Sequence, residues 1–196
     1  MDEKDVRDAS TAITLEDAAA LKPNLATKRE KDEWEYRNIL EARAWALNGR
    51  RLKRKDPITE PYVRELHLHM FNQTWRWAGR YRTSNPNLGI PFHLIPELLG
   101  QLLGDARYWI ENNIYDLDEV AVRFHHRIVS IHPFPDGNGR HARLIADVIV
   151  AKWNREPFSW GPNDLTKVGA THDEYIKALR LADNGDIKPL LLFARS

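Results

Sequence analysis

Between two segments of helical periodicity lies the stretch IHPFPDGNGRHAR, residues 131–143. It brings a histidine, a carboxylate, two glycines, an amide and two guanidinium groups together within twelve residues, counted from His132. Because apolar residues recur at helical spacing on both sides, the stretch is predicted to be a loop that leads into a helix near Asn138. That helix is apolar around nearly its whole circumference, so we expect it to be the buried centre of the fold.

Several residue types in this stretch suit the binding of phosphate. Gly137 and Gly139 can adopt positive φ at little cost, so the loop amides can curl around an anion. The first N–H groups of the following helix lack intrahelical partners and favour the same negative charge. Arg140 and Arg143 lie three residues apart, which places their guanidinium groups on one face of that helix.

Two further side chains suit metal and proton chemistry. Asp136 offers hard oxygen ligands, and one carboxylate together with substrate phosphates is a common Mg²⁺ site. His132 has an ordinary pKa that suits proton transfer near neutral pH. Each residue taken singly also has a structural interpretation, as a connector glycine, a packed histidine or a solvated arginine. The coincidence of all of them in one loop favours a functional site.

The same stretch resembles the motif of the Fic family, His-x-Phe-x-Asp/Glu-Gly-Asn-Gly-Arg-x-x-Arg. All eight defined positions match, namely His132, Phe134, Asp136, Gly137, Asn138, Gly139, Arg140 and Arg143. The resemblance runs from about Ile13 to the last residue and includes segments 77–83, 123–126 and 157–196. It is most similar to the "mobile mystery protein B" branch of the family, which is carried on bacterial mobile elements and implies a toxin-like role.

The resemblance implies a mainly α fold, a Fic-type helical bundle with a small β-hairpin flap. It implies a protein adenylyltransferase, which transfers AMP from Mg·ATP to a Tyr, Thr or Ser hydroxyl of a target protein and releases pyrophosphate. His132 would be the catalytic base, and Asp136 would hold Mg²⁺. The nucleotide would be bound by Gly137, Asn138, Gly139, Arg140 and Arg143, with Arg82 and Thr83 close to it.

Residues 81–93 are predicted to form two short extended runs around an Asn/Pro/Gly turn. By resemblance they are the flap, whose edge pairs with an extended segment of the target protein. The resemblance also raises the question of autoinhibition, called restraint below. Many relatives carry an inhibitory Ser/Thr-x-x-x-Glu-Gly/Asn helix, whose Glu pairs with the second motif arginine, here Arg143. The strict motif is absent, and Glu30 is a near match with Ala26 in place of the hydroxyl residue. Three possibilities remain open: a separate antitoxin-like protein inhibits the chain, an arm around Glu30 inhibits it, or it is not inhibited at all.

Apolar periodicity predicts helices along most of the chain. They cover residues 28–47, a segment from the capping residue Thr59 to about Trp77, then 96–112, 117–130, 138–153, 171–182 and 187–193. The buried stripe of the first helix is predicted as Trp34, Asn38, Glu41/Ala42 and Trp45. The basic run 50–55 is interpreted as a solvated loop. Residues 1–28 are predicted to be an N-terminal arm and residues 29–196 a Fic-type catalytic domain.

The composition limits which classes of partner and which cellular locations are expected. The chain has 29 basic and 28 acidic residues, a net charge of +1, so neither a nucleic acid nor an anionic membrane is expected as partner. It has no cysteine, which excludes disulfides and thiolate metal sites and suits a reducing compartment. Because there is neither a signal-peptide pattern nor a long apolar run, a cytoplasmic location is expected.

Three other functions compete with AMP transfer. The first is a phosphotransferase of the same fold, against which the intact Gly137-Asn138-Gly139 argues, because phosphorylating relatives depart from the motif there. The second is a catalytically silent module that binds a nucleotide or a partner. The third is a zinc metallohydrolase with ligands His125, His126, His132 and Asp136.

Overall fold

The computed structural model describes residues 19–23, 28–85, 89–161 and 170–196, and helices dominate these ranges. The helices are α1 Lys28–Ala46, α2 Gly49–Arg54, α3 Glu60–Phe71, α4 Ile95–Glu111, α5 Leu117–Ile131, α6 Asn138–Lys152, α7 Ala170–Asp183 and α8 Lys188–Arg195. A 3₁₀ turn, Phe92–Leu94, precedes α4. The prediction of a mainly α fold is confirmed.

The predicted central helix is α6, which packs against α5, α3 and α2. Its buried residues are Asn138, His141, Ala142, Leu144, Ile145, Ala146, Asp147, Val148, Ile149 and Val150. The loop between α5 and α6 therefore joins two helices that pack against each other, so both of its ends are fixed.

A buried carboxylate on α6 ties distant elements together. Asp147 Oδ1 accepts from the Phe158 N–H at 3.1 Å and from Trp160 Nε1 at 2.9 Å. Its Oδ2 accepts from Arg43 Nη1 of α1 at 2.5 Å. Burial raises the pKa of Asp147, whereas Arg43 and the other donors oppose that rise. The carboxylate therefore fixes α1 and the loop after α6 to the central helix.

Residues 19–23, part of the predicted arm, lie along the segment that follows α3. Leu21 and Trp75 form an isolated antiparallel bridge. Lys22 N–H donates to the Thr74 carbonyl at 2.8 Å, and Arg76 N–H donates to the Ala20 carbonyl at 2.9 Å. Residues 1–18 lie outside the described residues, so the boundary between arm and domain stays a prediction.

The basic run 50–55 is solvated as predicted, since its five basic side chains are exposed. It is not a loop, however, because residues 49–54 form helix α2. Asn48 caps its start by accepting from the Arg50 N–H at 3.1 Å. Lys152 Nζ caps its end by donating to the carbonyls of Leu52 and Lys53. A cation at the C-terminal end of a helix also favours the helix dipole.

The predicted β-hairpin of the flap is not confirmed. The described parts of 81–93 contain no strand, and residues 92–94 are a 3₁₀ turn instead of an extended run. The tip, residues 86–88, lies outside the described residues. None of the described helices combines the length and the apolar character needed to cross a membrane.

Candidate active site

His132 opens the loop between α5 and α6, residues 132–137. Its backbone is left-handed, with φ 54° and ψ 59°, which a non-glycine residue adopts at an energetic cost. Its N–H caps α5 by donating to the Ile128 carbonyl at 3.1 Å. Its carbonyl accepts from Arg82 Nε at 2.6 Å. Both backbone groups of His132 thus have defined partners, which set the direction of the imidazole.

The side chain of Asn138 closes this loop. Its Oδ1 accepts from the Phe134 N–H at 2.9 Å, and its Nδ2 donates to the Phe134 carbonyl at 2.8 Å. Phe134 is fully buried and anchors the loop in the core. Asn138 therefore orders the loop, whereas its part in nucleotide binding stays a prediction.

A buried histidine of α3 holds the other end of the loop. His67 Nδ1 accepts from the Gly79 N–H at 2.9 Å, so its proton must lie on Nε2. Nε2 then donates to the Asp136 carbonyl at 3.1 Å. The ring also stacks on Phe134 with centroids 3.7 Å apart. Burial lowers the pKa of His67 well below its usual value, so the ring is neutral and this pattern of donor and acceptor is fixed.

The two glycines have different conformations. Gly137 has φ 76°, and a Cβ there would lie 2.3 Å from Phe71 Cζ. Gly139 lies in the first turn of α6 and is not among the residues with positive φ. Gly137 therefore uses the positive φ that glycine permits, whereas Gly139 does not. Since Gly137 caps α6 without a side chain, the first N–H groups of the helix remain donors for an anion.

Arg140 connects the loop to α1. Its Nη1 donates to Glu35 Oε2 at 2.6 Å, and its Nη2 lies 3.3 Å from Asp136 Oδ2. Its Cζ lies 5.0 Å from the centroid of the Phe71 ring. Burial alone would lower the pKa of Arg140, but Asp136 and Glu35 raise it above its usual value. The guanidinium is therefore a permanent positive charge at the start of α6.

Arg143 lies one turn further along α6. A Cβ at Gly139 would be 3.9 Å from Arg143 Nη1, so the guanidinium extends towards the first turn of the helix. Its Cζ lies 5.7 Å from the ring centroid of Tyr175 on α7. The two motif arginines are therefore supported by different elements, Arg140 by α1 and Arg143 by α7.

Arg82 is 4% exposed and is surrounded by carbonyl oxygens. Its guanidinium donates to the carbonyls of Ser84 (2.9 Å), Ile90, Ile131 (3.3 Å) and His132 (2.6 Å). Its own N–H donates to the Pro133 carbonyl at 3.0 Å. Arg82 thus joins both sides of the flap to the loop that carries His132.

The flap backbone packs directly against His132. Gly89 has φ 91°, and a Cβ there would lie only 2.5 Å from the Cβ of His132. Thr83 is exposed at the start of the flap. The predicted proximity of Arg82 and Thr83 to a nucleotide stays a prediction.

His132 is neutral at physiological pH. Burial first, and then the charge of Arg82, lower its pKa to about 4, while Asp136 acts in the opposite direction. A neutral imidazole has a free lone pair and can accept a proton. A polyanionic ligand beside it would raise this pKa towards neutrality and strengthen the base.

The four residues of the zinc hypothesis do not converge. His125 Nε2 lies 3.1 Å from the Tyr175 hydroxyl, and His126 Nε2 lies 2.8 Å from Asp183 Oδ1. In the part of the chain that the structure describes, no three His, Cys, Asp or Glu side chains could jointly hold a metal. The metallohydrolase hypothesis is therefore wrong. Asp136, with a side chain 31% exposed, suits Mg²⁺ shared with phosphates, which needs few protein ligands.

Two residues of this site were missed at the sequence level. The bond of His67 to the loop was not foreseen. Glu35 was not recognised, because the predicted stripe of α1 favoured Trp34 and Glu41 over it. The contact of Glu35 with Arg140 spans 105 residues, and local periodicity carries no signal for such a pair.

Comparison with known proteins agrees with this geometry. The sequence model of the Fic/DOC family matches residues 57–150. A Fido domain-containing protein of Dictyostelium discoideum is 47% identical over 112 residues, which are 54% of this chain and 71% of that protein. The protein adenylyltransferase fic-1 of Caenorhabditis elegans is 31% identical over 145 residues, which are 72% of this chain. The chain spans 27% of the length of that relative.

A solved structure shows the same fold. BepC of Bartonella tribocorum, a VirB-translocated effector with bound AMPPNP, superposes with a TM-score of 0.62 at 16% identity. The likeness covers 93% of this chain and 97% of BepC. Membership of the "mobile mystery protein B" branch stays a prediction. The family match, the Dictyostelium relative and the loop geometry together place the chain in the Fic/DOC family.

Proposed function

We propose that the protein is an adenylyltransferase, which moves AMP from Mg·ATP to a Tyr, Thr or Ser hydroxyl of a target protein. The observation that carries this proposal is the convergence of four groups on one loop. They are the neutral imidazole of His132, the carboxylate of Asp136, the uncapped start of α6 and the guanidinium of Arg140. The names of the curated relatives and the nucleotide analogue bound to BepC support it.

The triphosphate would lie across the start of α6. The N–H groups that follow Gly137 would stabilise negative charge on the α-phosphate, because they are preorganised donors. Arg140 and Arg143 would bind the β- and γ-phosphates. Asp136 would hold Mg²⁺, which neutralises charge on the phosphates when it is bound. Most of the rate enhancement would come from positioning and charge stabilisation.

His132 would take the proton of the target hydroxyl. The hydroxyl oxygen forms a bond to the α-phosphorus, the bond from that phosphorus to the bridging α–β oxygen breaks, and pyrophosphate leaves with the electron pair. The hydrogen bond from Arg82 to the His132 carbonyl and the contact of Gly89 with the Cβ hold the base in one orientation. The target segment would dock on the flap, residues 81–93, beside that base.

Label transfer tests the proposal. The full chain is incubated with bacterial lysate, Mg²⁺ and ATP that is labelled at either the α- or the γ-phosphate. We expect α-label on a protein band with the wild type and with His172→Ala, a control on α7, but not with His132→Ala. Mg·ATP should still bind to His132→Ala, because that residue serves the proton and not the phosphates.

The other outcomes discriminate between the remaining functions. Label from γ-labelled ATP alone would establish a phosphotransferase. Binding of Mg·ATP without label on any protein would favour a binding module, or a protein restrained by a partner. Retained α-labelling in His132→Ala would remove His132 as the base.

A further inference from the structure

A buried carboxylate on α1 lies behind the arginine assigned to phosphate binding. Glu35 is 3% exposed, and its two oxygens have separate partners. Oε1 accepts from Trp75 Nε1 at 2.7 Å, and Oε2 accepts from Arg140 Nη1 at 2.6 Å. A buried charge is strongly unfavourable unless it is paired, so the carboxylate of Glu35 requires the guanidinium of Arg140.

The backbone that carries Glu35 is fixed. Asn38, one turn further along α1, donates to the His69 carbonyl at 2.9 Å and accepts from the Gln73 N–H at 3.1 Å. These bonds lock α1 to the end of α3. If the side chain of Glu35 rotated away, the buried indole N–H of Trp75 would lose its acceptor. The contact with Arg140 is therefore a permanent part of the fold.

This contact orients Arg140 without using up its donors. A guanidinium has five N–H donors, and Glu35 accepts at Nη1 only. Nη2 lies 3.3 Å from Asp136, a longer and more exposed contact on the side of the loop. If Asp136 is engaged by Mg²⁺, Nη2 becomes available to a phosphate while Nη1 stays anchored.

We propose that Glu35 is a positioning residue for Arg140, which holds the guanidinium in the orientation that receives the phosphates of the nucleotide. This inference rests on the proposed function, because it assigns phosphates to Arg140. Glu35 is distinct from the restraint considered at Glu30, which would pair with Arg143 and would have to be removed for activity. A positioning residue and a restraint have opposite effects when they are replaced, so the two roles can be separated.

The test compares two Glu→Gln variants on the same helix. Glu35→Gln keeps the size of the side chain and an acceptor for Trp75 but removes the charge that holds Arg140. Glu41→Gln is the matched control, because Glu41 accepts from Gln73 Nε2 at the surface. Calorimetry with Mg·ATP should give a Kd that is about tenfold weaker for Glu35→Gln, a loss typical of groups that orient a ligand-binding residue, and unchanged for Glu41→Gln.

Several results would overturn the positioning role. Equal or tighter binding by Glu35→Gln, or faster label transfer, would make Glu35 a structural residue or a restraint. If Glu35→Gln does not fold, Trp75→Phe removes the indole donor and keeps the ion pair, and it should weaken binding by a smaller factor. Unchanged binding in Trp75→Phe would then count against the proposal.

A second measurement does not depend on the nucleotide. The NMR signal of the Arg140 guanidinium N–H can be assigned by its absence in Arg140→Lys. It should be protected from exchange with water in the wild type and in Glu41→Gln. In Glu35→Gln it should lose that protection and be averaged by rotation of the guanidinium. A signal unchanged in Glu35→Gln would contradict the anchoring. Weaker Mg·ATP binding by Glu35→Gln in a protein that labels nothing would support the role of Glu35 and count against AMP transfer alone. Label transfer with equal Kd values would overturn the role of Glu35 alone.

Discussion

Replacement of Gly137 by alanine should destabilise the fold, whereas the same change at Gly139 should not. At Gly137 the new Cβ meets Phe71 Cζ at 2.3 Å, and φ is 76°. Left-handed backbone costs a non-glycine residue about 1–2 kcal/mol. Displacement of a buried aromatic ring by an added carbon typically costs about 1–3 kcal/mol. The sum predicts a loss of about 2–5 kcal/mol in the free energy of unfolding.

Gly139 is the internal control, since it lies in the same loop-to-helix junction. Its backbone is helical, and the nearest contact of a new Cβ is Arg143 Nη1 at 3.9 Å. Alanine in a helix is favoured over glycine by up to about 1 kcal/mol, so Gly139→Ala should be neutral or stabilising. That methyl group would nevertheless narrow the space at the start of α6 and weaken Mg·ATP binding.

Urea unfolding of both variants at pH 7.5 measures the difference directly. For a chain of this length, about 1 kcal/mol corresponds to roughly 2–4 °C in Tm, so Gly137→Ala should melt about 4–20 °C below the wild type. A Gly137→Ala protein within 1 kcal/mol of the wild type would refute the argument, because Phe71 would then be free to move at no cost.

Three further changes follow from buried polar groups. As at His132, burial lowers the pKa of the core histidines His67, His125 (to about 3) and His141 (to about 4). In the unfolded chain these histidines take up protons below about pH 6.5, whereas in the folded protein they stay neutral. The free energy of unfolding should therefore be highest above that pH and fall towards pH 4, by up to about 1.4 kcal/mol per pH unit for each histidine. Equal unfolding midpoints at pH 7.5 and 5 would contradict this. Arg82→Gln should raise the pKa of His132 and shift the acid limb of kcat/KM for AMP transfer to higher pH, and an unshifted profile would show that Arg82 does not act on the base. Trp160→Phe removes one hydrogen-bond donor from Asp147 and should lower the free energy of unfolding in urea by about 1–3 kcal/mol. The control Trp153→Phe, at an exposed position, should lower it by less than about 0.5 kcal/mol.

The parts of the site that were predictable from the sequence are contiguous. The α5–α6 loop, the start of α6 and the identity of its polar groups follow from glycine, capping and apolar periodicity over a few turns. Gly139 shows the limit of this reasoning, because glycine permits positive φ but does not require it. Only the steric contact of Gly137 with Phe71, a residue of α3, distinguishes the two positions.

The supporting residues were less predictable, and α1 shows why. Large aromatic side chains dominate a hydrophobicity pattern, so Trp34 was placed inside, yet it is 36% exposed. Asn38 and Ala42 are buried as predicted, and the buried face also carries Glu35 and Ala46. Two of these are polar, and their burial makes sense only with partners on α3, α6 and the segment after α3. Such partners are far apart in the sequence and become neighbours only in the folded bundle.

The near-neutral charge of the chain conceals a cluster of opposite charges at the site. Three guanidiniums, of Arg82, Arg140 and Arg143, lie near two carboxylates, of Glu35 and Asp136. The donors of Arg82 are directed at backbone carbonyls, and Nη1 of Arg140 is directed at Glu35. If Mg²⁺ engages Asp136 as proposed, Arg143 and the Nη2 edge of Arg140 would be the cationic donors that these groups offer to phosphate, together with the amides that open α6. Because each of them is positioned by a different helix, affinity for the nucleotide should depend on the packing of the whole bundle and not on the motif alone.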